Sequence, residues 1–301
     1  MICKPDRYSR RAFLLSGAAA TIGGASIRGL GDLSLLSSVG DIPPQDSPKN
    51  RVLHIIGHSH IDAAWLWPWR DGSNLALTTF RSALDRMKET PGFRYIHSSS
   101  IHYEWVQRAD PKMFEEIRQR IKEGRLEVVG GWPVEPDCNI PSTESFVRHC
   151  LYGKEYCQRE LGVDVKIGMN PDSFGHAAGL PSILKGAGYK YYVFMRPRED
   201  EMKLPLLFWW EAPDGSRVLT LRIWRSYHSP ATRIPLAAQN VFAPGFNHGA
   251  FFMGVGDHGG GVTKDQVKQV LSMRNDQTPD GALCRSSLPL LNSHQHLKAC
   301  R

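Results

Sequence analysis

The sequence contains no CxxC pair. Its six cysteines, Cys3, Cys138, Cys150, Cys157, Cys284 and Cys300, stand singly along 301 residues. That spacing argues against a thiolate zinc site. Cys150 and Cys157 share a helical face, but pairing within one helix is geometrically awkward, so both read as free or unassigned. Clusters of basic residues are also missing beyond the first dozen positions. The formal net charge is +7, yet Lys and Arg are scattered, which argues against a nucleic-acid surface. The apolar stretch from Leu14 to about Ala25 is rich in Gly and Ala and too short and weak to span a bilayer.

What is present describes a folded enzyme-sized domain. Hydrophobic residues make up 41% and charged residues 22%, as in a globular chain long enough for one large α/β domain or two small ones. Eight tryptophans are a generous supply. Aromatic faces pack against the C–H faces of sugars, so this composition suits a carbohydrate site as well as a core.

The N-terminus reads as an address. Ser9-Arg10-Arg11-Ala12-Phe13-Leu14-Leu15 is a twin-arginine pattern followed by an apolar stretch and small residues. Residues 1–30 are therefore expected to be an export signal and 31–50, rich in Ser, Pro and Asp, a linker. The expected destination is periplasmic or extracellular, with the membrane met only during export.

The domain is organised around RVLHIIGHSHIDAAWLWPW, residues 51–69. Val52, Leu53, Ile55 and Ile56 form a buried parallel strand that Gly57 is expected to end. His58, Ser59, His60 and Asp62 follow at once, then Trp65, Trp67 and Trp69. Imidazole plus carboxylate is a reasonable first half of a divalent-metal site. Further strands are predicted over 93–97, 126–129, 165–169, 191–195, 218–223 and 250–255. Helices are predicted over 74–89, 111–123, 142–161, 181–187 and 263–273. Such alternation is the βαβ signature of a parallel sheet or barrel. Most of these strands end in His, Asp, Glu, Trp or Arg, and strand C-termini converge on one face of such a fold. The last twenty or so residues show no periodicity, so 276–301 read as an irregular tail and the domain over 51–275 as incomplete.

These motifs resemble the N-terminal catalytic domain of glycoside hydrolase family 38, the retaining α-mannosidases. The resemblance rests on His58-Ser-His60-Ile-Asp62-Ala-Ala-Trp65, Gly131-Trp132-Pro-Val-Glu135-Pro-Asp137-Cys-Asn139, Asn170-Pro-Asp172-Ser-Phe174-Gly175-His176, Arg196 and Gly256-Asp257-His258. It implies a seven-stranded (β/α) barrel-like α/β domain, a Zn2+ ion and an α-mannoside oligosaccharide or glycan as substrate. By position, His60, Asp62 and Asp172 match metal ligands, and Asp172 also the catalytic nucleophile. Trp65 matches the plate under the sugar, and Phe174 and Arg196 match pocket residues. The fourth ligand the resemblance implies is a histidine, and His294 and His296 in the tail carry no matching motif.

Retaining hydrolysis needs a second carboxyl group to protonate the leaving oxygen. Asp257, between glycines at a strand end, is the first choice, with Glu135 and Asp137 as alternatives. These two otherwise orient a metal ligand or a sugar hydroxyl, and Trp132 joins them as a candidate sugar contact. His58 is left to a supporting role and His176 to a structural or pocket hydrogen bond. One rival is a metal-dependent amidohydrolase, suggested by His58-x-His60. That chemistry predicts a lysine at a comparable strand end, which the sequence lacks. The other rival is a truncated, inactive mannoside-binding remnant.

Overall fold

The structure, a computed structural model, describes residues 51–255 and 259–273, together with the backbone of 283–286. The expected signal and linker, Asp257, His294 and His296 lie outside the described residues. Among the described helices none is long and apolar enough to cross a membrane.

Strand β1 (Val52–His58) lies at the centre of the first sheet. It is followed by α1 (Trp69–Glu89) and β2 (Tyr95–His97). Helices α2 (Ser100–Ala109) and α3 (Pro111–Lys122) lead to β3 (Leu126–Val128). Next come α4 (Thr143–Tyr156), β4 (Ile167–Asn170), α5 (Leu180–Gly186) and β5 (Tyr191–Phe194). The remaining elements are β6 (Leu207–Glu211), β7 (Arg217–Arg222), α6 (Ile234–Asn240), β8 (His248–Met253), α7 (Lys264–Met273) and β9 (Leu283–Ser286).

The strands form two sheets. One runs β3-β2-β1-β8, with β9 also on β1; the other runs β4-β5-β7-β6. Every pairing is parallel except the β6–β7 hairpin. The chain is thus α/β, as expected. The barrel expected from the resemblance takes the form of two sheets facing a shared interior. Ile56, Ile96, Val129, Ile167, Val193, Ile223 and Phe252, from seven parallel strands or the residue just past their ends, form one buried cluster. Two backbone hydrogen bonds link the sheets at their borders. Gly130 N–H donates to the Ile167 carbonyl, and Ser229 N–H donates to that of Phe252. A second, larger apolar cluster packs the helices onto the outer faces of the strands.

Several element predictions need correction. Gly57 does not end β1; it pairs with Tyr95 and Met253 inside the sheet. Helix α1 starts at Trp69 rather than residue 74, because Pro68 presets the extended backbone of the N-cap. Ser142 caps α4 by accepting from Ser145 N–H, and the last turn loosens into a π-helix, Cys157–Leu161. Helices α2 and α6 and strand β6 were not predicted. The stretch over 276–301 is not wholly irregular, since β9 pairs in parallel with Val52–Ile55 of β1. Four residues are too few for a periodic signal, and β9 exists because β1 leaves that part of its edge open. Cys138, Cys150 and Cys157 are free and buried.

Trp132 marks the turn out of β3. Gly130 and Gly131 sit at φ 78° and 71°, a left-handed path that swings the chain inward and that side chains rarely adopt. Trp132 then packs edge-on against Phe146 and beside Tyr189 with no exposed surface. It is a core residue, which corrects its assignment as a sugar contact. Helix α4 closes on this turn so tightly that a methyl group at Gly153 would lie 2.3 Å from Trp132 Cα and 2.6 Å from the Gly131 carbonyl oxygen. Both neighbours are backbone and cannot rotate away. Gly153→Ala is expected to destabilise the domain by about 3 kcal/mol or more, as overpacking against backbone does. Urea unfolding of the two proteins measures this; equal midpoints would show that α4 docks elsewhere.

Candidate active site

The site lies where parallel strands end. β1 runs directly into His60 and Asp62, β3 leads through Trp132 to Glu135, β4 leads to Asp172, and β5 leads to Arg196. Parallel pairing gives all four strands one direction, so their following loops meet at one face.

His60 is buried and sits among carboxylates. Its Nδ1 lies 3.0 Å from Glu135 Oε2, and its Nε2 lies 3.4 Å from Asp62 Oδ1 and 3.8 Å from Asp172 Oδ2. Nε2 is sealed from solvent and forms no hydrogen bond of good geometry among the described residues. Burial by itself lowers the pKa of His60, but the Glu135 and Asp62 carboxylates outweigh it and raise the value to about 10. Tyr227, also buried, lies with its ring 5.2 Å from that of His60.

Asp172 is gripped from two sides. Its Oδ1 is 2.7 Å from the Arg196 guanidinium, which also donates to the Asp172 carbonyl at 3.2 Å. The Phe174 ring stacks on Arg196 at 4.2 Å, so the guanidinium is braced between ring and carboxylate. Burial raises the pKa of Asp172, opposed by the charges of His60 and Arg196. Glu135 Oε1 accepts from the backbone N–H groups of Asp172 at 2.6 Å and Ser173 at 3.1 Å. Glu135 Oε1 is thus committed to two backbone N–H groups, while Oε2 is sealed from solvent in ion-pair range of His60 Nδ1 without a hydrogen bond of good geometry. This corrects the assignment of Glu135 as a sugar contact and leaves its alternative as an orienting group.

Two aromatic residues face outward, as a sugar platform requires. Trp65 is 53% exposed and Phe174 78%. Trp65 sits edge-on to Trp67, whose indole N–H donates to the Asp62 carbonyl at 3.2 Å, tying the tryptophan loop to the Asp62 backbone. Asp137 is a turn residue. Its Oδ1 accepts from the N–H groups of Asn139 and Ile140, both at 2.8 Å, and those bonds lower its pKa. That lowered pKa weighs against Asp137 as the proton donor. His176 is structural: Tyr192 O–H donates to its Nδ1 at 3.0 Å, and its Nε2–H donates to the Arg196 carbonyl at 2.8 Å.

Tyr227 was missed as a site residue. Its signal was present, since Trp224, Arg225, Tyr227 and His228 crowd behind β7 as polar and aromatic residues do behind the other strands. A network behind His60 was also missed. Ser59 Oγ meets Tyr95 Oη and lies 3.2 Å from His97 Nδ1, and His97 Nε2 lies 2.9 Å from His102 Nδ1. Tyr95, His97 and His102 come from elements distant in sequence and carry no motif.

Among the described residues no ready-made set of three or more His, Cys, Asp or Glu metal donors is present. His60, Asp62 and Asp172 come nearest to one. Donors tetrahedrally bound at about 2.1 Å stand roughly 3.4 Å apart. The 3.4 and 3.8 Å separations fit such a cage, provided that Asp172 Oδ2 moves slightly toward Nε2. The orphaned, buried Nε2 is the observation that makes the donor set fit a divalent ion.

Burial lowers the pKa of His102 to about 3 and holds His97 well below the usual histidine value. Both are neutral when folded, while the unfolded chain takes up their protons below about pH 6.5. Their contribution is intact above that pH and is lost as pH falls toward 3. Urea unfolding at pH 7 and pH 5 is expected to show stability falling by up to about 1.4 kcal/mol per pH unit for each histidine. A His102→Gln variant should show a shallower fall; an unchanged slope would mean that His102 is already protonated in the fold.

Residues 50–287 match the family model for the glycosyl hydrolases family 38 N-terminal domain. The chain is 33% identical over 233 residues to human alpha-mannosidase 2C1, and 29% identical over 226 residues to alpha-mannosidase G of Dictyostelium discoideum. These alignments cover 75% and 73% of this chain but 22% and 21% of the relatives, so the chain spans about a fifth of their length. An alpha-mannosidase structure from Enterococcus faecalis V583 superposes with a TM-score of 0.69 at 22% identity, over 83% of this chain and 29% of that one, a likeness of fold. With a family match that spans nearly the whole described chain, this protein belongs to glycosyl hydrolase family 38 and carries that family's N-terminal domain.

Proposed function

We propose that the chain supplies the catalytic domain of a metal-dependent retaining glycoside hydrolase acting on α-mannosides. One observation carries the reading: oxygens of Asp62 and Asp172, from loops distant in sequence, approach the same buried nitrogen of His60 at 3.4 and 3.8 Å. The relatives named as alpha-mannosidases support the substrate class.

His60, Asp62 and Asp172 would hold the ion, Zn2+ in this reading. Such an ion supplies a Lewis-acid anchor for vicinal sugar hydroxyls and favours the ionised form of a bound carboxylate. The remaining work falls to the chain's own residues. Asp172 attacks the anomeric carbon and forms a glycosyl ester, and Arg196 fixes the carboxylate orientation for that attack. Trp65 and Phe174 offer exposed faces to the sugar ring. Asp257 serves as the proton donor to the leaving oxygen, and then as the base that activates water to hydrolyse the ester. Asp257 takes this role from its place in the Gly256-Asp257-His258 motif.

Asp172→Asn is expected to lower turnover of an aryl α-mannoside by at least about a thousandfold while leaving the fold intact. A 2-deoxy-2-fluoro mannosyl fluoride should add its glycosyl mass to the peptide containing Asp172. Label on another carboxylate, or equal turnover in the variant, would remove Asp172 as nucleophile. Chelation should abolish activity and Zn2+ should restore it.

Export by the twin-arginine route to the periplasm or beyond belongs to the same proposal, supported by Ser9-Arg10-Arg11 and the apolar stretch behind it. Residues 1–50 fused to a folded reporter are expected to direct its export. Changing Arg10 and Arg11 together to Lys should retain it inside; export of that double variant would disprove the route.

A further inference from the structure

Glu135 touches both halves of the site with one carboxylate. Its Oε2 faces His60 Nδ1 at 3.0 Å, and its Oε1 accepts the N–H groups of Asp172 and Ser173 at 2.6 and 3.1 Å. The side chain is 11% exposed, and Oε2 is sealed from solvent with the His60 ion pair, not a well-formed hydrogen bond, as its contact. A carboxylate held this way is not free to meet a sugar.

We propose that Glu135 is a positioning residue that clasps the metal-binding imidazole to the nucleophile loop, setting the proton position on His60 and the backbone of Asp172 together. The inference rests on the metal-dependent reading above and adds to it a residue outside the donor set. An imidazole that binds an ion through Nε2 must carry its proton on Nδ1. A carboxylate opposite Nδ1 enforces that choice, because it only accepts. The same residue fixes the loop that delivers Asp172 Oδ2 toward Nε2, so donor and nucleophile are placed against one rigid reference.

The chemistry makes the clasp sensitive to an isosteric change. Backbone N–H groups can only donate, whereas a neutral imidazole nitrogen either donates or accepts. In Glu135→Gln the amide oxygen is therefore drawn to the Asp172 and Ser173 N–H groups, and the NH2 group is left facing His60 Nδ1. That contact favours a bare Nδ1 and a proton on Nε2, the nitrogen needed for the ion. Glu135→Ala removes both halves of the clasp.

Titration of chelator-stripped protein with Zn2+ alone, followed by calorimetry, tests this. Amide exchange at Asp172 and Ser173 is read by NMR in the same samples. Wild type is expected to take up one ion. Glu135→Gln should bind it about 10–100-fold more weakly, with both amides still protected. Glu135→Ala should bind weakly and lose protection at both amides. Glu135→Gln binding Zn2+ as tightly as wild type overturns the clasp while leaving the metal-dependent reading standing. Wild type that takes up no ion overturns the metal reading and the clasp with it. Unchanged protection in Glu135→Ala overturns the hold on the nucleophile loop.

Discussion

The contact between Glu135 and its two clients is the interaction on which the site depends. His60 follows β1 and Asp172 follows β4, and these strands belong to different sheets. Besides the hydrogen bonds at Gly130 and Ser229, the loops after β3 and β4 are tied by Ala177 N–H donating to the Cys138 carbonyl and by Asn170 Nδ2 and Ser173 Oγ donating to the Pro136 carbonyl, while His60 reaches Asp172 through Glu135. Glu135 adds to these ties a charged group that faces an imidazole on one oxygen and two backbone N–H groups on the other. Its burial strengthens both contacts, because solvent does not compete for them.

Around that contact the site is built from opposed charges at short range. Asp172 stands between the cationic Arg196 and His60, and burial alone would push it toward its neutral form. Arg196 in turn is held by the Phe174 ring. These opposed charges lie within a few ångströms of one another in a partly buried site, where solvent screens them less than in water. The exposed faces of Trp65 and Phe174 stand apart from this charged interior. They offer the apolar surface a sugar ring needs without any change in the buried network.

The fold constrains what can be added to this arrangement. All pairings apart from the β6–β7 hairpin are parallel, so within each sheet every strand except β6 delivers its C-terminal residue to one face. The helices cover the outer faces of the strands. Substitutions that loosen helix α4 against the Gly131–Trp132 turn act on the loop carrying Glu135 as well as on stability, because the turn lies directly before that loop in the chain.

Much of this was legible from the residues alone. β1 is an apolar run buried on both faces, and His60, Asp62 and Asp172 stand in motifs dense enough to place them at strand ends. The order of strand and helix and the α/β class followed from local pattern, whereas Trp65 and Phe174 were singled out by the family resemblance. What stayed hidden depends on partners distant in sequence. Trp132 reads like the other tryptophans, yet it is core because Phe146 and Tyr189 close over it. Glu135 and Asp137 look equivalent two residues apart, yet one reaches His60 while the other caps its own turn. Tyr227 joins His60 only once β7 is laid beside β5 and β8 beside β1. Strand β9 needs the open edge of β1 to exist at all. By itself the sequence determined which chemical groups are available and which elements carry them, because periodicity and motif are local properties of the chain. Only the tertiary structure decided which of those groups meet, because burial and distance between strand ends are set by packing.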